Sequence, residues 1–77
     1  MAHQDVTDRV RRLYANNAGL NIRHMNMAEG YFLLRKTHPN YDTLASVAII
    51  AAVNRQPLRI RTEDTTTDVQ YLVMEWN

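Results

Sequence analysis

The segment that decides the fold of this 77-residue chain is TLASVAIIAAVN, residues 43–54. It has helical length, and its large apolar residues spread around most of a helical circumference beside a narrow strip of alanines. A helix that is apolar all round is normally buried on several sides. We therefore expect a helix here, the third along the chain, which is covered either by the rest of the chain or by a second subunit. The residues expected at such an interface are Val47, Ile49, Ile50 and Val53.

Two further helices are predicted before this segment. Residues 4–16 place Val6, Val10 and Leu13 on one helical face, and Gly19 follows as a candidate left-handed cap. Residues 27–37 form the second predicted helix, because Asn26 and Glu29 have the spacing of a capping box. Between them, residues 20–24 alternate apolar and polar side chains, which is typical of a short strand or an extended connector.

The C-terminal third of the chain predicts a β-hairpin. Residues 58–62 alternate, residues 64–68 are polar, and residues 69–76 are rich in β-branched and aromatic side chains. The predicted fold class is α+β, with three helices followed by a C-terminal antiparallel hairpin, and residues 20–24 add a short strand if they are not a connector. This order resembles that of a winged helix-turn-helix domain, in which the third helix reads the major groove of DNA.

Two features oppose DNA binding by such a domain. Ser46 and Asn54 are the only polar side chains within the predicted recognition helix that could contact base edges. The expected wing tip carries Glu63, Asp64 and Asp68. The phosphates of DNA would repel these carboxylates. DNA binding is therefore the alternative rather than the leading hypothesis. If DNA binds, the expected surface combines Arg9, Arg11 and Arg12 with Arg59 and Arg61.

Composition narrows the remaining classes. The chain is short enough for one domain, spanning residues 1–77. It has no cysteine, so disulfides and thiolate metal sites are excluded, and its three histidines lack the spacing of metal ligands. No catalytic motif or phosphate-binding loop is present. We expect no metal, no cofactor and no enzymatic activity. The longest apolar run, Val47–Val53, is too short to cross a membrane, and we expect a cytoplasmic protein.

The leading hypothesis is a small, non-enzymatic protein-interaction module: a regulator, inhibitor or assembly adaptor that also associates with itself as a homodimer. Eight of the nine cationic residues are arginine, a residue that protein interfaces favour over lysine, together with Tyr, Trp and Met. The partner is expected to be another protein, a second copy of the chain, or both. The residues expected to bind it are Arg55, Arg59, Arg61, Tyr71 and Trp76.

Overall fold

The computed structural model describes residues 3–63 and 66–74, and within them the chain forms six β-strands and one α-helix. The helix lies between the fourth and fifth strands. The elements are β1 (His3–Asp8), β2 (Val10–Asn16), β3 (Gly19–His24), β4 (Phe32–Arg35), α1 (Tyr41–Asn54), β5 (Leu58–Glu63) and β6 (Val69–Met74).

The strands form two three-stranded sheets, one with the order β1-β5-β6 and one with the order β2-β3-β4. All neighbours within each sheet are antiparallel. Only Arg9 separates β1 from β2, so one long strand serves both sheets. A parallel bridge between Leu33 and Asp68, with a 2.8 Å hydrogen bond from the Leu33 amide to the Thr67 carbonyl, joins β4 to the start of β6. The two sheets therefore form a partly closed barrel.

Alternating side chains fill the space between the sheets. The inner faces of β3, β4 and β5 contribute fully buried Ile22, Leu34 and Ile60. The helix contacts β2 and β4 of one sheet and β6 of the other. Its buried residues, Leu44, Ala48 and Ala51, follow a spacing of four and three, which places them on one face. The small alanines let the helix backbone approach the sheets closely.

The first predicted helix, over residues 4–16, is wrong, because this segment forms β1 and β2. A β-bulge between Val10 and Arg12 explains the misleading pattern. Val10 pairs with His24 and Leu13 pairs with Ile22, so four residues of β2 lie opposite three residues of β3. Because of the extra residue, the apolar residues Val10 and Leu13 are three positions apart, as on a helical face, instead of the two positions of a regular strand.

The second predicted helix, over residues 27–37, is also wrong, because this region contains the β3–β4 loop and β4. Asn26 caps no helix. Its backbone amide and its side-chain amide donate hydrogen bonds of 3.0 and 2.8 Å to one carboxylate oxygen of Asp8. Phe32 and Leu34 then face the core while Leu33, between them, is half-buried. A short apolar run of this kind is compatible with a strand or a helix, and tertiary pairing decides between them.

The third predicted helix and the C-terminal hairpin do form, although their context differs from the expectation. The helix begins at Tyr41, two residues earlier than predicted, and β5 pairs with β6 as expected. Residues 20–24 belong to a strand rather than a connector. With a single helix in the described part of the chain, the fold is mostly β, and the α+β, winged-helix-like architecture is wrong. No helix in these residues is long and apolar enough to cross a membrane.

Candidate functional site

The outer face of the β2-β3-β4 sheet carries a cluster of aromatic rings and guanidinium groups. The rings of Tyr14 and Tyr31 lie 5.8 Å apart, inclined at 45°. The Arg23 guanidinium lies 4.5 Å from the centroid of the Tyr31 ring, and Arg12 donates a 3.2 Å hydrogen bond to the Tyr31 hydroxyl. We call these four residues the Tyr–Arg cluster. Tyr14 is 50% exposed, so one aromatic ring of the cluster remains open to a ligand.

Strand register brings the two arginines together. Arg12 and Arg23 are directly opposite each other on β2 and β3. Like charges in that position repel, and neither arginine makes an ion pair within the described residues. Tyr31 reduces the repulsion, because its hydroxyl accepts from one arginine and its ring faces the other. In the described part of the chain, the cluster nevertheless keeps two positive charges without a carboxylate, and it is suited to attract an anion.

The β3–β4 loop that holds Tyr31 is anchored at both ends. At its start, the Met25 amide donates a 2.9 Å hydrogen bond to the Arg9 carbonyl, beside the bonds between Asn26 and Asp8. At its end, Arg23 Nε donates a 3.0 Å hydrogen bond to the carbonyl of Gly30. Gly30 has a φ of 85°, a conformation that glycine adopts without strain. These contacts fix the position of Tyr31 before any ligand binds.

Local electrostatics agree with this arrangement. The hydrogen bond from Arg12 is the main cause that lowers the pKa of Tyr31 below its ordinary value. The same bond raises the pKa of Arg12. At Asp8, burial acts to raise the pKa, but hydrogen bonds from the amides of Arg9 and Asn26 outweigh it, and the pKa is lowered. Asp8 therefore stays ionised and keeps the loop anchored near neutral pH.

The partner-binding residues expected from the sequence lie mostly on the other sheet. Arg61 pairs with Tyr71 across β5 and β6, and its guanidinium lies 4.8 Å from the centroid of that ring. Arg61 also makes a bidentate ion pair with Asp5, with bonds of 2.9 and 2.8 Å, which is the main cause that raises its pKa. Arg59 lies on the same strand, half-buried. Because Asp5 neutralises Arg61, this surface is a weaker anion attractant than the Tyr–Arg cluster.

The other two expected partner-binding residues are not part of that group. Arg55 is the C-cap of α1 and adopts a left-handed conformation with a φ of 56°. It lies beside a surface cavity together with Arg9 and Arg11. Trp76 falls outside the residues that the structure describes.

The expected oligomer interface is largely exposed. The exposed fractions are 49% for Ile49, 47% for Ile50 and 75% for Val53, and Val47 is half-buried. The helix therefore has one buried face and one apolar face open to solvent.

No metal centre emerges from the described ranges. Residues 3–63 and 66–74 contain no cluster of three side chains able to hold a metal ion. That the protein is not an enzyme and uses no cofactor stays a prediction.

The sequence reasoning missed Tyr14, Tyr31 and Arg23 as functional candidates. Both tyrosines lie in segments that were predicted to be helices and that form strands and a loop instead. The available signal was the interleaving of arginine and tyrosine, Arg12 with Tyr14 and Arg23 with Tyr31, which becomes visible once these segments are read as strands.

Comparisons with protein-family models, with curated proteins and with solved structures find no match to this chain, so its function has to be argued from the chemistry of the site.

Proposed function

We propose that the protein binds single-stranded nucleic acid on the outer face of the β2-β3-β4 sheet. The observation that carries the proposal is the Tyr–Arg cluster. Proteins that bind single strands combine aromatic side chains, on which bases stack, with cationic groups that track the phosphates. Tyr14 supplies an exposed ring for stacking, and Arg12 and Arg23 supply two positive charges beside it.

The barrel supports the same proposal. With β1 and β2 counted as one long strand, the barrel has five strands, is partly open, and follows the order β2-β3-β4-β6-β5-β1. This is the architecture of the OB-fold, whose second and third strands and adjacent loops bind oligonucleotides and oligosaccharides. The corresponding strands here are β3 and β4. Arg23 lies on β3, and Tyr31 directly precedes β4, so the Tyr–Arg cluster is on the face that such barrels use.

Charge and aromatic chemistry favour a nucleic acid over a neutral sugar. Arg12 and Arg23 lie opposite each other with no carboxylate partner among the described residues. This arrangement is costly for the folded protein, and a phosphate would relieve the repulsion. Duplex DNA fits less well, because its bases are stacked on each other and cannot stack on Tyr14. The expectation is therefore a preference for single strands and only modest sequence selectivity.

Replacing Tyr31 with alanine tests this function. The Tyr31 ring packs against Tyr14 and Arg23, and its hydroxyl accepts from Arg12, so its loss should disrupt the surface on which a base stacks. Stacking on an aromatic side chain contributes about 1–3 kcal/mol per base, so Tyr31→Ala should weaken binding of a fluorescent 12-nucleotide oligo(dT) by roughly 5- to 150-fold. Tyr31→Phe should keep most of the affinity, because it retains the ring and loses only the hydroxyl that Arg12 contacts. Fluorescence anisotropy at low salt measures both.

Tyr71→Ala is the matched control, because Tyr71 also lies against an arginine but belongs to the other sheet. Its affinity for oligo(dT) should equal that of the parent protein. The proposal is contradicted if the parent protein fails to bind oligo(dT) at low salt. It is equally contradicted if Tyr31→Ala and Tyr71→Ala have the same effect.

Self-association is a second proposal, favoured by the exposed face of α1. Asp42 is the only charged residue in the helix, so two copies of this face could meet without repulsion. Ile49, Ile50 and Val53 would lose their exposure to water, and burial of apolar area is the main force in such association. A homodimer with the two α1 helices in contact remains compatible with nucleic-acid binding on the sheet.

Ile50→Asp tests the dimer. Because Ile50 is 47% exposed, the variant should stay folded and become a monomer, whereas the parent protein should show twice the chain mass at high micromolar concentration. Sedimentation equilibrium gives the mass and circular dichroism the fold. As a contrast, Ala48→Asp should unfold the chain, because Ala48 is fully buried and an unpaired buried charge is costly. A monomeric parent protein would exclude the dimer.

A further inference from the structure

Three arginines outside the Tyr–Arg cluster line a surface cavity. The cavity lies between the bend from β1 to β2, the end of β3 and the C-terminal end of α1. Its lining contains no acidic residue among those the structure describes. The lining residues are Arg9, Val10, Arg11, Met25, Ala52 and Arg55.

The side chains of the three arginines are available to bind a ligand. None of them makes an ion pair or a side-chain hydrogen bond within the described residues. The nearest acidic residue along the chain, Asp8, already accepts hydrogen bonds from the Arg9 amide and from Asn26. Within residues 3–63 and 66–74, three positive charges therefore face one cavity without a counter-charge. They outweigh the negative end of the helix, which amounts to about half an elementary charge.

The backbone holds these arginines in place. The Arg9 carbonyl accepts a 2.9 Å hydrogen bond from the Met25 amide. Arg11 is the extra residue of the β-bulge, a feature that redirects side chains. The Arg55 amide donates to the Ala52 carbonyl at 3.3 Å and the Gln56 amide to the Ala51 carbonyl at 3.0 Å. The arginine backbones are thus fixed while their guanidinium groups remain free.

The conformation of Arg55 adds a second indication. A left-handed residue at the end of a helix is usually glycine, since a side chain there costs about 1 kcal/mol. Arginine occupies this position although glycine would relieve the strain. A ligand that the guanidinium binds would offset that cost.

We propose that Arg9, Arg11 and Arg55 bind a phosphate group. Guanidinium groups match phosphate oxygens with paired hydrogen bonds. The phosphate belongs either to the backbone of a bound single strand or to a free phosphate. The first source rests on the proposed function. Arg11 lies three residues before Tyr14 on β2, at most about 10 Å along the strand because the bulge shortens this segment, which is within the length of about three stacked nucleotides at 3.4 Å each.

Two variants and one control test the site. Arg55→Gly should fold at least as stably as the parent protein, because glycine fits the left-handed conformation. Arg11→Gln removes a second charge at an exposed position. Lys36→Gln is the control, since it removes an exposed cation that does not line the cavity. In the parent protein and in Lys36→Gln, inorganic phosphate should shift the amide NMR signals around Arg9, Arg11 and residue 55 and reach saturation.

The two substitutions in the cavity should abolish those shifts, and sodium chloride at the same ionic strength should not reproduce them. The site is refuted if Arg55→Gly and Arg11→Gln respond to phosphate as the parent protein does, or if chloride causes the same shifts. This measurement requires no nucleic acid, so it decides the site even if the proposed function fails.

The source of the phosphate follows from oligo(dT) binding at several salt concentrations. Each phosphate contact to a single strand contributes about 0.7 to the slope of log affinity against log salt. If the phosphate belongs to the strand, Arg55→Gly should reduce that slope by about 0.7 and Lys36→Gln should leave it unchanged. If only inorganic phosphate responds to the substitutions, the site stands and its ligand is a free phosphate.

Discussion

A Gly19→Ala protein should lose about 2–6 kcal/mol of its free energy of unfolding. Gly19 begins β3 with a φ of 146°, which residues with a side chain rarely adopt. A Cβ atom would collide with the carbonyl oxygen of Leu34 and lie 2.9 Å from the amide nitrogen of Lys36. Both are backbone atoms next to Arg35, the residue with which Gly19 pairs on β4. They cannot move aside without breaking the β3–β4 ladder.

The expected loss combines two costs. Overpacking typically costs about 1–3 kcal/mol, and a strained backbone conformation costs a further 1–3 kcal/mol or so. A domain of this length has a stability of about 4–12 kcal/mol. The loss is therefore a large part of the total, and thermal unfolding followed by circular dichroism should show a Tm at least about 8 °C lower.

Gly30→Ala is the matched control for this prediction. Gly30 also has a positive φ, 85°, but no heavy atom lies within 4 Å of the position its Cβ would take. Only the backbone strain applies, so the loss should be about 1 kcal/mol. Equal losses for the two variants would show that the close approach of β3 to β4 at Gly19 does not matter.

Gly19 also illustrates what the sequence could and could not predict. The residue was expected to adopt a left-handed conformation, and its φ is indeed positive. It was assigned to the end of a helix, whereas it begins a strand. Local rules describe the conformational freedom of glycine, but they do not show which partner comes close to it. Here that partner is Leu34, which is distant in the sequence.

The two wrong helix predictions have a related cause. Val10 and Leu13 have helical spacing only because a bulge adds one residue to β2. Pairing with β3 decides that segment, and no residue within it signals the pairing. By contrast, α1 and the β5–β6 hairpin depend on local features: a long apolar run that ends before a proline, and two strands separated by a short polar turn. Those elements could be predicted.

The Tyr–Arg cluster could not be predicted, because it depends on long-range register. Arg12 meets Arg23 through the pairing of β2 with β3, and Tyr31 reaches both from a loop that Asp8 anchors. The Arg61–Tyr71 contact is different, since the hairpin places these residues opposite each other once its two strands are recognised. The sequence therefore points to the β1-β5-β6 sheet, in which the β5–β6 pairing is local, whereas the Tyr–Arg cluster lies on the other sheet.

His24 is the buried polar residue with the largest expected effect on stability. Its side chain is on the inner face of β3, and the residue is 1% exposed. Its ring packs edge-on against Phe32, with centroids 5.4 Å apart. Neither ring nitrogen has a hydrogen-bond partner of regular geometry within the described residues. Burial lowers the pKa of His24, and the opposing effects of Asp8 and the Leu58 backbone do not compensate.

Stability should therefore fall as the pH decreases from about 7 to 5. In the unfolded chain His24 titrates near its ordinary pKa of about 6.5, whereas in the folded protein it binds a proton only at lower pH. Below about pH 6.5 the unfolded state binds more protons, so acid favours unfolding. Above this pH, the contribution of neutral His24 to the free energy of unfolding is fully present. As the pH falls below it, the free energy of unfolding declines by at most about 1.4 kcal/mol per pH unit until folded His24 is also protonated.

Urea unfolding at pH 7.5, 6.5 and 5.5 measures this decline and assigns it to His24. His24→Leu should abolish it, and at pH 7.5 this variant should be at least as stable as the parent protein, because it no longer buries ring nitrogens that lack partners of regular geometry within the described residues. His38→Gln is the control: His38 bonds the Gln70 carbonyl from a half-buried position and should not be needed for the decline. Asp8, whose pKa is lowered, titrates below this range. A decline that persists in His24→Leu would place the responsible group elsewhere and show that the buried imidazole is not the origin of the acid sensitivity.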